Sequence, residues 1–561
     1  MLTSIRHVPG LTVRLLVTVW WVFLLLIPAG AEAQASAYVL PSDRAYDDLN
    51  ALIAVDLAGE IIVGQRPYSR MTFRRAVEHA REELARRGAA GEAGPKARFL
   101  EALERLERRF GPGMEPDCPP DAAQDCADAP GPAFAFRSAS LDLTGADSPY
   151  RTLRGGQAGQ RLDAVGNPLL QRNLGRDLAD GWTLAAESQL DVQMGGHVAA
   201  QATPRVWASD APGSGTEMDA TPLTAYVRGV LGKVALDVGR VHALHGPSPE
   251  SGAVLSTNPR ALSRVRIGNE RSGRLPWIFR HLGPVGFRLG VADMGEARDT
   301  PGSKLITIQA SAQPHPNLEL GLSILNHQGG DGAPEALWWE RVVDTFGFIL
   351  YRRPLRVLPD IPISDKLIGV DARLRIPDAG LTLYTEFATE DDHNLFIDPT
   401  QGAWYNAIWL WGGALTGLGG EGRLDLRLEG VHTGPIAYAH HRFSSGLTVD
   451  DRVLGNPIGP TAAAVRVVAD WTGARDFLTV EGAWERYSGD DFVPRNPGGG
   501  RRRVADNPDE IRVRAMADWT RRMDNHLSTT ARIGYERVTR FAFEDGNRAN
   551  VLAQLRIEYG W

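Results

Sequence analysis

The C-terminal segment is the feature that most constrains the fold of this chain. Every second residue is apolar, counting back from the last one: Trp561, Tyr559, Ile557, Leu555, Ala553 and Val551. The residues between them are mostly polar, which predicts a β-strand with one apolar and one polar face. A strand of about 10 residues that ends in aromatic side chains is typical of a membrane barrel. A soluble antiparallel sheet shows the same alternation, so both folds stay open at this point.

The composition does not decide between these two folds. The chain has 561 residues, of which 43% are hydrophobic, and its mean hydropathy of −0.22 is ordinary for a soluble protein. A membrane β-barrel needs only alternate residues to be apolar, so these values do not exclude it. The net charge of −7 is spread along the chain and indicates no nucleic-acid partner.

Residues 1–35 predict a signal peptide, which would take the mature chain out of the cytoplasm. Arginines provide a positive start, residues 15–27 form an apolar core, and small residues fit cleavage after Ala33 or Ala35. The apolar core is too short for a transmembrane helix.

Residues 36–117 follow a helical period and predict a small bundle. Ser42 or Asp43 can cap a first helix, Ser69 can cap a second, and a third helix runs from about Pro95 to Phe110. A unit of this size buries a marginal core, so we expect it to lean on the rest of the chain or on a disulfide.

Residues 118–133 are rich in Pro, Asp and Ala and predict a linker. Both cysteines of the chain, Cys118 and Cys126, lie in it. An oxidising compartment favours a disulfide between them. A metal site is the weaker interpretation, because no His or further Cys lies beside them.

Residues 134–561 consist of short alternating segments, for example 285–291, 318–324 and 478–484. Charged residues occupy the second face of nearly every segment, as the water-filled lumen of a barrel requires. Counted back from the last strand, long and short connections alternate, from 539–548 and 521–526 onward. This alternation is typical of outer-membrane barrels, whose periplasmic turns are short and whose outer loops are long.

We therefore predict a mainly β protein: a large outer-membrane antiparallel β-barrel of about 16–18 strands behind a small periplasmic α-helical bundle. Both termini would lie in the periplasm. Tyr559 and Trp561 are then expected to anchor the last strand on that side and to act as the membrane-insertion signal.

Several motifs favour simple structural interpretations. The segment 417–422 matches G-x-G-x-x-G, but no βαβ unit surrounds it, so a hairpin turn is predicted. The arginines 501–503 can bind an anionic polymer, but a solvated run of charge in a loop is the default interpretation. The acidic groups 390–392, 450–451 and 490–491 lie in predicted outer loops, where carboxylates can bind Ca²⁺. Paired acidic residues are common in loops, however, and none of these groups has EF-hand spacing.

The tryptophans allow two interpretations. Those that can stack on sugar rings are Trp338, Trp339, Trp404, Trp409 and Trp411. The 14 tryptophans of a barrel more often form interfacial girdles, and Trp409 and Trp411 share a strand face. The chain contains no G-x-S-x-G, H-E-x-x-H or Walker motif. We therefore predict no enzyme activity, cofactor or metal.

A series of short motifs resembles one protein family. In chain order they are residues 41–49 (PSDRAYDDL), 65–70 (QRPYSR), 239–240 (GR), 245–259 (HGPSPESGAVLSTNP) and 282–284 (LGP). Their order resembles the capsule assembly family of outer-membrane proteins called Wzi, over most of the mature chain. The resemblance implies a lectin-like surface protein that attaches or organises capsular polysaccharide and is not an enzyme.

The partners implied are capsular or surface polysaccharide, outer-membrane lipid and the capsule export machinery. No sugar-binding residue is carried over, because residues 207–222 and 327–365 show little family pattern. Two alternatives stay open: a porin-like channel that passes sugars or other small solutes through the lumen, and an outer-membrane hydrolase.

Overall fold

The computed structural model describes residues 35–91, 94–111, 133–211, 215–250, 252–346, 363–390, 407–494 and 501–560. Nearly all of the predicted signal peptide, both cysteines and Trp561 lie outside these ranges, so the predictions made for them stay predictions. In the described ranges, no helix is long and apolar enough to cross a membrane.

Eighteen antiparallel strands close into a barrel, at the upper end of the predicted number. In chain order they are β1 (Ala133–Asp147), β2 (Trp182–Met194), β3 (Val198–Ala211), β4 (Gly215–Leu231), β5 (Val234–Val241), β6 (Leu262–Asn269), β7 (Pro284–Asp293), β8 (Lys304–His315), β9 (Leu318–Gln328), β10 (Ser364–Ile376), β11 (Leu381–Glu390), β12 (Ala407–Leu418), β13 (Leu424–Thr433), β14 (Ala462–Thr472), β15 (Asp476–Tyr487), β16 (Glu510–Arg522), β17 (Leu527–Thr539) and β18 (Asn547–Gly560). Strand β1 pairs with both β2 and β18, which closes the ring. A closed ring leaves no strand edge unpaired.

The alternation predicted for the last strand is confirmed. On β18, Leu555 and Tyr559 point outward and are exposed, whereas Asn550 and Leu552 point into the barrel and are buried. The same period on the other strands gives the barrel an apolar outer band, which is the face that lipid requires.

The connection lengths alternate as the sequence predicted. At one end, called here the turn end, the connections are residues 195–197, 232–233, 270–283, 316–317, 377–380, 419–423, 473–475 and 523–526. At the other end, called here the loop end, they are residues 148–181, 212–214, 242–261, 294–303, 329–363, 391–406, 434–461, 488–509 and 540–546. Two connections depart from the pattern: 212–214 is short, and 270–283 is long for its end.

Three helices lie where the period of the sequence placed them: α1 (Ala45–Ala54), α2 (Arg70–Ala89) and α3 (Ala97–Phe110). The Ser69 hydroxyl accepts a hydrogen bond from the Thr72 N–H and caps α2, as predicted. At the start of α1, the Asp43 carboxylate accepts a hydrogen bond from the Ala45 N–H.

The helical bundle closes the turn end of the barrel. Glu101 on α3 pairs with Arg423 at 2.8 Å, and Arg44 donates to the Thr520 hydroxyl at 2.8 Å. The bundle therefore leans on the barrel, which extends a core too small to be stable alone.

A segment of the bundle continues into the lumen and meets a segment from the opposite end. Gln65–Arg66 pair antiparallel with Leu244–His245, which belong to the connection between β5 and β6. The Gly246 N–H donates to the Gly64 carbonyl oxygen at 3.0 Å beside this pair. We call this contact the lumen junction, residues 64–66 with 244–246.

Arg66 fixes the lumen junction. Its buried guanidinium donates to the carbonyl oxygens of Gly246 at 3.3 Å, of Pro249 at 2.9 Å and of Ser248. A buried charge is costly unless it is well hydrogen-bonded, so these carbonyls are what allow Arg66 to lie inside the barrel.

Two wall carboxylates hold the inserted backbones. Glu319 on β9 accepts hydrogen bonds from the N–H groups of Val63 at 2.9 Å and Gly64 at 2.7 Å. Glu386 on β11 accepts one from the Ala253 N–H at 2.6 Å. Both glutamates point into the barrel and are 3% exposed. They are buried because inserted chain replaces the water.

The first prediction concerns Gly246, whose φ is +100°. A Cβ at this position would lie 2.4 Å from the Glu386 carboxylate. Gly246→Ala should therefore lower the free energy of unfolding by about 2 kcal/mol, measured by urea unfolding in detergent micelles. Gly88→Ala is the control, because a Cβ there meets nothing within 4 Å. Equal stability of Gly246→Ala and the wild-type protein would contradict the packing of the lumen junction.

The second prediction concerns the Asp43–Arg109 pair, whose two hydrogen bonds are both 2.8 Å long. Burial by itself would raise the pKa of Asp43, but Arg109 outweighs it and holds that pKa at about 2, against an ordinary 3.8. The pair therefore stabilises the bundle fully at pH values above 3.8, the ordinary pKa of Asp. This stabilisation is lost as the pH falls toward about 2, the pKa of Asp43 in the folded protein.

The helical circular-dichroism signal should consequently melt at a lower temperature as the pH falls from about 5 to about 2. Asp43→Asn should flatten this dependence, whereas Glu104→Gln, at an exposed position on α3, should leave it unchanged. An unaltered pH dependence in Asp43→Asn would show that the pair does not contribute.

Candidate functional site

Three connections at the loop end fold together rather than lying apart. Residues 148–181, 242–261 and 434–461 share one buried apolar cluster, and we call this unit the loop-end cap. Its buried residues include Leu153, Leu162, Val254, Leu255, Ala437, Leu447, Val453 and Leu454. The cluster also contains wall residues, among them Leu305, Leu325, Leu367 and Ile408. The cap is therefore a packed layer that continues the barrel interior.

Tyr438 ties two of these connections to each other and to the wall. Its hydroxyl donates to the Ala253 carbonyl oxygen at 2.6 Å and accepts from the Asn456 N–H at 2.8 Å. Its own N–H donates to the Glu390 carboxylate on β11 at 2.6 Å. Burial raises the pKa of the Tyr438 hydroxyl well above its ordinary value, so the hydroxyl stays a donor.

Ion pairs with the barrel wall hold the side of the loop-end cap that faces the lumen. The Glu250 carboxylate accepts hydrogen bonds from Arg427 on β13 at 2.9 Å and from Arg466 on β14 at 2.6 Å. Burial by itself would raise the pKa of Glu250, but the two guanidiniums outweigh it and hold that pKa at about 2. The Ser248 hydroxyl donates to Glu429 on the same wall at 2.8 Å.

A cavity of about 510 Å³ opens between the loop-end cap and the 294–303 connection. Most of the charged side chains around it are acidic. The carboxylates are those of Asp163, Glu296, Asp299, Asp450 and Asp451, and the guanidiniums are those of Arg260 and Arg298. Carboxylates accept hydrogen bonds from hydroxyl groups, so the cavity suits a neutral polyhydroxy ligand or a cationic one.

Part of this charge holds the walls of the cavity in place. Arg298 donates to the carbonyl oxygens of Gly446 at 3.0 Å and Thr448 at 3.1 Å. Asp163 accepts from the Ser445 hydroxyl at 3.0 Å. The walls are thus positioned by bonds from neighbouring connections, while Glu296 and Asp451 are exposed toward solvent.

Asp450 and Asp451 form the two-residue turn of a short hairpin, between Thr448–Val449 and Arg452–Val453. Their φ angles are +47° and +56°. A turn of this kind needs positive φ at both central residues, which Asp tolerates better than most residues. Turn geometry thus explains the acidic pair, and the described residues contain no group of three or more acidic, His or Cys side chains placed to hold a metal.

Two loop motifs that the sequence showed separately belong to one hairpin. Residues 491–494 pair with residues 501–505, and Asp490 accepts from Arg503 at 2.9 Å beside them. Part of the basic charge is therefore neutralised within the loop. Residues 391–392 lie outside the described ranges, and Glu390 is buried.

The glycine motif 417–422 is a hairpin turn, as predicted. Gly417, Gly419 and Gly422 have positive φ, and Lys96 of the bundle donates to the Gly417 carbonyl oxygen at 2.6 Å. This turn therefore serves as a docking point for α3 and not as a dinucleotide site.

The tryptophans divide between two positions. Trp409 and Trp411 lie on the outer face of β12, as an interfacial girdle requires. Trp338 begins a loop-end helix, α4 (Trp338–Phe346), instead of lying on a barrel strand, and it is 75% exposed. Trp404 lies outside the described ranges.

Sequence reasoning missed the roles of Arg66, Glu319 and Glu386 at the lumen junction. The only signal was that the motif 245–259 is rich in Pro, Ser and Gly and that the motif 65–70 contains Pro67. Such composition predicts irregular backbone but does not say what that backbone contacts.

The family model described as Capsule assembly protein Wzi matches residues 151–552. Wzi of Escherichia coli, an outer-membrane protein involved in group 1 capsule assembly and a carbohydrate-binding β-barrel, has a TM-score of 0.61 at 14% identity, over 95% of this chain and 100% of that chain. OprD of Pseudomonas aeruginosa has a TM-score of 0.39 at 12% identity, over 75% of this chain and 95% of that chain. No curated protein sequence is significantly similar.

The family model covers most of the barrel, from the first loop-end connection into the last strand. The lumen junction, the loop-end cap and the closed ring of strands all lie on the matched part or contact it. The family model matches more than half of the residues of this chain, and the chain therefore belongs to the capsule assembly protein Wzi family.

Proposed function

We propose that this protein lies in the outer membrane with its loop end at the cell surface, where it attaches or organises capsular or surface polysaccharide without catalysing a reaction. The observation that carries the proposal is a packed loop-end cap with an acidic cavity of about 510 Å³ above a filled lumen. Family membership and the carbohydrate-binding E. coli protein support the choice of ligand.

The proposed orientation places the remaining parts of the chain. Ala35 contacts the 195–197 turn and β18 ends at Gly560, so both described termini lie at the turn end. That end would face the periplasm, with the bundle (36–117) and the linker (118–133) beside it. The Cys118–Cys126 disulfide and the insertion role of Tyr559 and Trp561 stay predictions. The bundle is the part that capsule export machinery would contact.

Sugar chemistry fits the cavity. A carboxylate such as Glu296 or Asp451 can accept hydrogen bonds from neighbouring sugar hydroxyls, while buried Met294 contributes an apolar wall. The exposed Trp338 ring provides a separate stacking surface at the loop end. A repeating polymer can use many weak contacts of this kind at once, because the second contact is intramolecular.

The structure argues against the porin-like alternative. The bundle lies across the turn end, the lumen junction lies inside the barrel, and the loop-end cap lies across the opposite end. An open pore needs a water-filled path, whereas here the wall charges are bonded to inserted chain.

The third prediction tests polysaccharide binding. Glu296→Gln with Asp451→Asn should weaken retention of the host's own surface polysaccharide in a cosedimentation assay by about tenfold, or about 1.4 kcal/mol, because an amide oxygen accepts a weaker hydrogen bond than a carboxylate oxygen does. The control is Glu104→Gln with Asp378→Asn, which removes the same charge from the turn-end side and should bind as the wild-type protein does.

Two results would contradict the third prediction at different levels. Wild-type protein that retains no polysaccharide, together with cells that keep their polysaccharide after deletion, would overturn the function. Normal retention by the loop-end variant would instead remove only the cavity as the binding site.

The fourth prediction tests the filled lumen. Wild-type protein in a planar bilayer should pass little ion current, and Arg66→Ala should raise it several-fold because the lumen junction loses its hydrogen bonds. Arg502→Ala, which removes an exposed loop-end charge, should not change the current. A porin-like current through wild-type protein would favour the channel.

A further inference from the structure

The connection 270–283 is the one turn-end connection whose length exceeds what joining two strands requires. The other turn-end connections run directly from strand to strand, as 232–233 and 316–317 do. This one contains a short 3₁₀ helix, Trp277–Leu282, between β6 and β7. Extra chain at this place therefore needs an explanation other than connectivity.

The short helix displays large apolar side chains to solvent. Trp277 is 83% exposed, Ile278 62%, Phe279 53% and Leu282 41%. The described residues therefore cover only part of each of these side chains. Exposed apolar side chains of this size on consecutive residues mark an interaction surface.

The backbone of this segment is held in an unfavourable conformation. Trp277 has a φ of +60°, which is an outlier for a bulky residue. At the other end of the helix, Gly283 has a φ of +68°, and a Cβ there would lie 1.8 Å from the Gln313 carbonyl oxygen. The segment is thus held close against the end of β8, with its apolar side chains pointing away from the protein. Strain of this kind persists where it positions a functional group.

The segment adjoins the lipid-facing wall of the barrel. It connects the turn ends of β6 and β7, whose outward side chains Val265 and Val291 are exposed farther toward the loop end. Basic side chains lie among its apolar ones and in the preceding residues: Arg271, Arg274, Arg280 and His281. Aromatic and basic residues together suit the boundary between acyl chains and phosphate headgroups.

We propose that residues 275–283 lie in the headgroup layer of the membrane leaflet on the turn-end side, and bind phospholipid there as an interfacial anchor for one sector of the barrel base. Trp277, Ile278, Phe279 and Leu282 enter the upper acyl region, and Arg280 meets lipid phosphate. This anchor is independent of polysaccharide binding at the loop end.

The fifth prediction tests the anchor by photo-crosslinking. A benzophenone amino acid replaces Ile278 in the full-length protein, which is reconstituted in vesicles of phosphatidylethanolamine and phosphatidylglycerol. Illumination should give protein–phospholipid adducts, detected by intact mass, at a yield close to that of the same probe at Val291. The probe at Leu100, an exposed apolar position on α3 of the bundle, should give at least several-fold fewer adducts.

Each result of this experiment bears on the anchor. A covalent dimer from position 278 would indicate a second copy of the chain as the occupant and would overturn the proposal. A crosslink to another protein when the probe is used in whole cells would overturn it in favour of a protein partner. A yield at position 278 no higher than at Leu100 would place the segment in water.

A second variant checks the role of the basic residue. Arg280→Gln should reduce the adduct yield at position 278 when phosphatidylglycerol is present and leave the yield at Val291 unchanged. The probe at position 291, placed in the same Arg280→Gln background, reports on barrel insertion. A misfolded variant is therefore recognised by a low yield at position 291. An unchanged yield at position 278 would remove Arg280 from the anchor.

Discussion

The hydrogen bonds of Arg66 hold together two parts of the chain that enter the barrel from opposite ends. Its guanidinium reaches carbonyl oxygens of a segment that lies 180 or more residues away in sequence. Glu319 and Glu386 complete the arrangement by accepting N–H groups of the two inserted backbones. Irregular backbone can lie inside a barrel only when its polar groups are bonded, so the rest of the lumen depends on these contacts.

Chain that lies inside the barrel supports the connections at the loop end. The loop-end cap includes the connection 242–261, which enters the lumen at the lumen junction, and it shares an apolar cluster with the barrel wall. Its cavity therefore has fixed walls, which lowers the ordering cost of binding a long and flexible polymer. The proposed attachment of a surface polymer rests on this arrangement of the loop end.

The sequence predicted the parts of this fold that depend on local pattern. The alternation in Val551–Trp561 predicted an outward apolar face on the last strand, and β18 has that face. The helical period and the Ser69 cap predicted the helices of the bundle. Connection lengths predicted two different barrel ends, apart from 212–214 and 270–283. Each inference uses residues a few positions apart, where side-chain direction follows directly from backbone geometry.

The sequence by itself determined which faces are apolar, approximately where the three helices of the bundle lie, and which connections are long. Only the tertiary structure decided what the inward charges do. Glu386 looks like any lumen-facing acid in sequence, yet it holds Ala253, which lies 133 residues away. Likewise, Trp338 and Trp411 are the same residue type, but one lies on a loop-end helix and the other on the lipid-facing wall. Such assignments depend on which distant segments meet after the ring of strands has closed, and no local period of the sequence carries that information.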